Sequence, residues 1–200
     1  MENLTAKIQA RRLAEILIAQ AKENEPPITA GLQNIAAKVS AAIIGLENKF
    51  KTEQSITRKL IDLTEADSAE ISRTAEKFND ALRYTFVLPF EIYIKSFRQT
   101  IGELQKAGYR IPENKIWNAW ENIATKFDRG YRGINITIIS SQGQKFELQF
   151  HTAESFEFKS ENHRLYKESK NRKTSPDRKR EIGRYLIGQA KKIPIPEGVR

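Results

Sequence analysis

The chain has no cysteine, one methionine and two histidines in 200 residues. Without cysteine there is no disulfide, no thiolate metal site and no cysteine nucleophile. His151 and His163 stand twelve residues apart with no third ligand at a metal-binding spacing, so a zinc centre is not expected. No apolar run reaches transmembrane length, and the opening MENLTAKIQARR carries no signal-peptide core; a soluble protein is expected. The Walker A loop, the dinucleotide-binding glycine turn and the nucleophile elbow are all missing, which leaves a Ser–His–Asp triad without a supporting motif. There is no internal repeat and no low-complexity segment.

What is present looks globular: 39% of residues are hydrophobic and 30% charged, enough apolar side chain to build a core. The length suits a single domain and can bury a sizeable interior. The formal net charge is +9, and from Lys159 to Arg200 there are thirteen Lys or Arg against five Asp or Glu. That basic end would attract RNA, nucleotides or an acidic partner, or it is a solvated face that keeps the protein dispersed.

The first eighty residues read as helices. Residues 4–22 are amphipathic, and NEPP at 24–27 predicts a break. Thr29 caps a second helix running to about Leu46, a third begins near Thr52 and a fourth at Ser68. The period then changes. In ALRYTFVLP, Leu82, Tyr84, Phe86 and Leu88 alternate with Arg83, Thr85 and Val87, a strand stopped by Pro89. Residues 91–108 form a helix ending at Gly108, and GYRI and KIWNAW suggest short strand pieces. GINITIIS (133–140), the turn SQGQ and the returning strand KFELQFHT make a hairpin. Helices follow at 153–169 and at 175–192, the latter capped by Ser175 with Pro176 at its first position. The tail IPIPEGVR is extended. This order predicts an α+β fold, α/β-like, with a mixed sheet of about 4–5 strands flanked by helices behind an N-terminal helical segment. The expected organisation is one domain over 1–200: a helical segment 1–45, a core 46–158, and basic C-terminal helices with a tail 159–200.

Strand parity puts Arg83 and Thr85 on one face and Glu147, Gln149 and His151 on another polar face. If the strands are neighbours, cations and a carboxylate share one surface. Mg²⁺ needs one or two carboxylates with water and substrate phosphates; Glu147 and Asp80 are the candidates, unless Glu147 is merely the wet side of a hairpin. Lys49, Lys51, Arg58 and Lys59 surround a helix start, where free N–H groups also attract anions; they form a phosphate clamp, or an ordinary basic helix face. RGYRGIN (129–135) spaces glycines around Tyr131, which would allow close backbone approach and base stacking, or a plain turn with a packed ring.

Taken in order, these pieces resemble the synthetase domain of the RelA/SpoT superfamily, whose members move pyrophosphate from ATP to the 3′-hydroxyl of a guanine nucleotide. The carrying residues are Lys49, Lys51, Ser55, Arg58 and Lys59; then Asp80 and Arg83; then Gly130 and Tyr131; then Glu147, Gln149, His151 and Thr152. The match spans roughly 45–158, and ALRYT, GIN and FELQFHT followed by Lys159, His163 and Tyr166 bring it closest to toxin-type effector branches. The resemblance implies the nucleotidyltransferase-like synthetase fold, Mg²⁺ on Asp80 and Glu147, and Glu147 as proton acceptor. It implies ATP phosphates on Lys49, Lys51, Ser55, Arg58, Lys59 and Arg83, and an acceptor on Tyr131, Asn135, Gln149 and His151. The partners implied are ATP with GDP, GTP, ADP or ATP as acceptor, or the tRNA 3′ end, and an antitoxin or immunity protein. No membrane is implied; the action is cytoplasmic, in a target cell where the protein is delivered as an effector. The chain departs from the housekeeping pattern at Thr85, which stands where the strand Arg is usual, with Arg83 two residues earlier as the nearest cation, at Asn135 in place of a His, and at His151 in place of an Arg. A degenerate fold that binds RNA or a protein is the non-enzymatic alternative.

Overall fold

The computed structural model describes residues 4–123, 125 and 128–199. Seven α-helices and one sheet of five strands carry the described chain. The strands are β1 (Ala42–Ile44), β2 (Arg83–Val87), β3 (Ile116–Asn118), β4 (Ile134–Ile139) and β5 (Lys145–His151), and their order across the sheet is β1-β2-β5-β4-β3. β2 and β5 run parallel; every other neighbouring pair is antiparallel. The mixed sheet with its flanking helices is the architecture the sequence pattern predicts.

The alternation in β5 sets the sheet's two faces. Phe146, Leu148 and Phe150 are fully buried, each worth roughly 1.5–3 kcal/mol. A one-residue slip would drive Glu147 into their place, so the register is strongly held. On this apolar side α4 (Tyr93–Lys106) packs Phe97 edge-on to Phe150 at 4.9 Å, and Tyr109 reaches Phe146 at 5.8 Å.

The helix α1 (Leu4–Lys38) corrects the expected break: it runs unbroken through Pro26 and Pro27. A proline inside a helix costs about 3 kcal/mol. Here Ala14, Ala21, Ile28 and Ile35, spaced by sevens, are all buried and keep one stripe in phase across the prolines, so tertiary packing offsets the lost bonds. Thr29 is therefore not a cap. Its hydroxyl meets the Glu25 carboxylate one turn back and the Tyr84 hydroxyl at 2.7 Å. Residues 42–44, expected as helix, form the edge strand β1 instead, because α1 ends at Lys38 and Ile43 pairs with Phe86.

The helices α2 (Glu53–Thr64, capped by Thr52) and α3 (Ser68–Glu76, capped by Asp67) pack Ile56, Leu60 and Ile71 into the same core as the alanines of α1. The helical stretch at 153–169 is two helices, α5 (Ala153–Glu161) and α6 (His163–Lys170), parted at Asn162. The last helix, α7 (Pro176–Ala190), is tied to α6 by Arg178 on Glu168 at 2.7 Å. No described helix is long and apolar enough to cross a membrane.

Candidate active site

The polar face of the sheet holds two rows of side chains in register. One runs Thr137, Glu147, Arg83; the next runs Trp117, Asn135, Gln149, Thr85. Paired positions on neighbouring strands share a face, so β2, β5, β4 and β3 together place the predicted Arg83, Glu147, Gln149 and Asn135 side by side.

Cations gather on this face around Asp80, Gln149 and the Arg83–Glu147 pair. Asp80, just before β2, receives Lys51 Nζ on Oδ2 at 2.6 Å and Lys59 Nζ on Oδ1 at 3.0 Å. Burial works to raise the Asp80 carboxyl, but Lys51 and then Lys59 outweigh it and hold it below the usual carboxylate range. Lys51 is itself lowered by burial, against the pull of Asp80. Among the described residues Arg83 has no ion-pair partner. From α5, Lys159 Nζ donates to Gln149 Oε1, and Gln149 Nε2 donates to Glu147 Oε1. From α6, the Tyr166 hydroxyl has its pKa raised by burial and then by Glu147 and Asp80.

Several expected residues are placed differently. Lys49 turns away: its Nζ lies 3.0 Å from Glu25 Oε1, in the Glu25–Thr29–Tyr84 contact on the α1 side. That carboxylate pairs it on the α1 side, apart from Lys51 and Lys59, which pair with Asp80. Arg58 is exposed on α2, one residue off the face that carries Lys59. Ser55 is engaged in the α2 cap, where its amide donates to Thr52 Oγ1 at 3.3 Å and its hydroxyl oxygen accepts from Thr52 Oγ1 at 2.8 Å. His151 is fully buried rather than lining an acceptor pocket; its Nε2 meets Tyr131 Oη at 2.9 Å and its Nδ1 meets Ser155 Oγ at 3.0 Å. Burial first, then Lys159, drives its pKa well below the ordinary value, so it is a neutral strut.

The glycines of RGYRG serve packing, not ligand approach. Gly130, at φ 73°, would press an added Cβ to 2.9 Å from the Leu186 backbone of α7, and at Gly133 the Cβ would meet the Phe150 carbonyl at 2.7 Å. Between them Arg132 is buried, with Nη1 and Nη2 on the Asp128 carboxylate at 2.9 and 3.1 Å.

Two neighbours of Glu147 were not among the candidate ligand-binding residues. Lys159, which the resemblance names after FELQFHT without a role, reaches Gln149 from α5. Trp117 stacks on Tyr131, with centroids 5.2 Å apart and planes 18° apart. Only the β3–β4 pairing brings them together, and no local pattern announces it. A cleft of about 220 Å³ next to Glu147 is lined by Asn79, Lys115, Trp117, Asn135 and Thr137.

Magnesium needs open carboxylate oxygens. Glu147 fits, since only Oε1 is engaged, by an amide. Asp80 does not fit as a second ligand, because each of its oxygens holds an ammonium. Among the described residues no cluster of three or more His, Asp or Glu forms a cage.

No protein-family model and no curated protein matches the sequence. Solved structures do match the fold. The type VI effector Tas1, in complex with its immunity protein, is 15% identical over 88% of this chain and 94% of its own, with TM-score 0.54. Small alarmone synthetase 1 from Bacillus subtilis, bound to its product pppGpp, is 18% identical over 88% and 87%, with TM-score 0.57. A GTP pyrophosphokinase family protein from Streptococcus pneumoniae is 16% identical over 86% and 88%, with TM-score 0.55. The chain has the fold of the RelA/SpoT-superfamily synthetases.

Proposed function

We propose that the protein is an ATP-dependent pyrophosphokinase that moves the β,γ-pyrophosphate of ATP to the 3′-hydroxyl of a purine nucleotide, and that it acts as a growth-inhibiting effector. The observation that carries this reading is Glu147 in one row with Arg83 and joined through Gln149 to Lys159, with Lys51 and Lys59 held on Asp80 just before the same strand as Arg83. A polyphosphate needs that charge, and the attacking hydroxyl needs a base beside it. The likeness to Tas1, solved with an immunity protein, supports the effector role, action in the cytoplasm of a target cell, and a neutralising protein partner.

In this mechanism the acceptor oxygen attacks the β-phosphorus of ATP in line. The bond from that phosphorus to the α–β bridging oxygen breaks, and AMP leaves with the oxygen. Glu147 takes the hydroxyl proton. Asp80 holds the Lys51 and Lys59 ammoniums in place, and with Arg83 and Lys159 they meet the triphosphate. Glu147 and the substrate phosphates would hold a magnesium ion, which when bound supplies charge neutralisation to the phosphate oxygens. Gln149 fixes Glu147 from one side and Lys159 from the other. Incubation with γ-labelled ATP, Mg²⁺ and GDP, GTP, ADP, ATP or bulk tRNA tests the reading: label moves to one acceptor with AMP released, and no transfer to any of them overturns it. The tRNA 3′ end is the second reading. It is favoured by Tyr166, Lys167 and Lys170 on α6 beside the site, with Lys170 Nζ 5.6 Å over the Tyr166 ring.

Lys159 gives the site a pH limit. Burial first, then Arg83, bring its pKa down to about 8, against the opposing pull of Glu147. Below that pH it is an ammonium that can meet phosphate; above it the charge is gone. The kcat/KM for ATP, which reports the free enzyme, therefore falls as pH rises through about 8. Lys159→Arg stays charged and moves this limb upward. An identical limb in the arginine variant removes Lys159 from phosphate binding.

A further inference from the structure

The fold fills one face of the Tyr131 ring that the sequence offered for base stacking. Trp117 lies parallel to the ring on one side, and His151 meets it edge-on at 5.3 Å and 76°. The hydroxyl is pinned, donating to Asn135 Oδ1 at 2.6 Å and meeting His151 Nε2 at 2.9 Å. Burial, then Glu147, raise its pKa well above that of a free phenol, so it stays a neutral donor. Tyr131 is a fixed backing plate.

The open ring is that of Trp117. It is 45% exposed on β3, the edge of the sheet, and it sits directly across from Asn135 in the row that continues to Gln149. Among the described aromatics with exposed rings, Tyr166, Tyr185 and Trp117, Trp117 borders the cleft shared with Glu147. The cleft wall adds polar groups with capacity to spare. Asn135 uses its oxygen on Tyr131, leaving its amide NH₂ to donate. Asn79 uses its NH₂ on Thr137 Oγ1, leaving its oxygen to accept. Lys115 stands at the rim as a further donor.

We infer that Trp117 is the platform on which the acceptor's purine base stacks, with Tyr131 bracing it from behind and the Asn135 and Asn79 amides meeting the base edge. This rests on the proposed pyrophosphate transfer and names where its acceptor binds. An aromatic face binds any base through its π surface. A platform already held in a stack loses little freedom when a ligand arrives, so more of the contact energy becomes affinity. The base then lies in the same cleft as Glu147, which leaves its ribose hydroxyl within the reach of the carboxylate that must take the proton. The other tryptophan, Trp120, is fully buried, with its indole N–H on Tyr93 Oη at 3.3 Å, so it is a built-in control for emission measurements.

The test is a titration of the intact protein with GDP, ADP and bulk tRNA without ATP, following tryptophan emission beside calorimetry. The acceptor that binds quenches wild-type emission to saturation. Trp117→Phe keeps a stacking ring, so it keeps transfer, but it loses the quench because Trp120 is the remaining indole. Trp117→Ala raises the acceptor KM by about tenfold or more and leaves the ATP KM unchanged. Calorimetric binding without quenching, or an unchanged acceptor KM in Trp117→Ala, overturns the platform and leaves the transfer activity standing. No binding by any of the three and no transfer of label overturn both.

Discussion

Glu147→Gln leaves the fold intact and lowers AMP release from ATP by about 10²–10⁴-fold, the usual contribution of a positioned proton acceptor. The substitution is nearly isosteric. The Gln149 amide that donates to Glu147 Oε1 finds an amide oxygen in the same place, so the link through Gln149 to Lys159 persists. The neighbours Phe146 and Leu148 hold β5 through the buried face, which the change does not touch. Thermal unfolding should therefore superimpose on wild type while single-turnover release of AMP collapses. Activity within about tenfold of wild type would take Glu147 out of the chemistry, because a loss that small lies below what proton transfer alone contributes.

That prediction could be framed because Glu147 was legible in the sequence. Period-two alternation in β2 and β5 is a local pattern, and it fixed which side chains share the wet face before any pairing was known. The Ser175 cap and the helix start near Thr52 were equally local. What stayed hidden depended on distant partners. The α1 helix crosses two prolines because a buried stripe on both sides outweighs a local rule. Lys49 follows Glu25, a residue from a helix that sequence spacing treats as separate. Asp80 carries the right charge for a metal, but Lys51 and Lys59 arrive from another element and occupy both oxygens. Trp117 required the β3–β4 register, and it changes which ring can meet a base. Charge type and strand face were readable; the partner of each charge was not.

The second large effect is structural and lies behind the acceptor side. Arg132→Met costs about 3–5 kcal/mol of stability, the range for breaking one side of a buried ion pair. In wild type the guanidinium is 0% and the carboxylate of Asp128 3% exposed. Arg132 also donates to the Tyr131 carbonyl at 2.8 Å and to the Ala190 carbonyl at the end of α7 at 3.2 Å, while Asp128 Oδ1 accepts the Gly130 amide at 2.9 Å. Methionine fills most of the volume but leaves Asp128 without its guanidinium, and that desolvated charge carries most of the cost. A total stability of roughly 5–15 kcal/mol makes such a loss visible as a large fall in the urea midpoint. The double variant Arg132→Met with Asp128→Leu removes both charges of the pair and should recover part of the loss, since hydrophobic replacement of a whole buried pair is often close to neutral. A single variant costing under about 1 kcal/mol would mean the pair is solvated as a surface bridge is. Because the same guanidinium holds the Tyr131 carbonyl, the double variant should regain stability before it regains acceptor affinity: the stack of Tyr131 and Trp117 would still lack the anchor that ties it to α7.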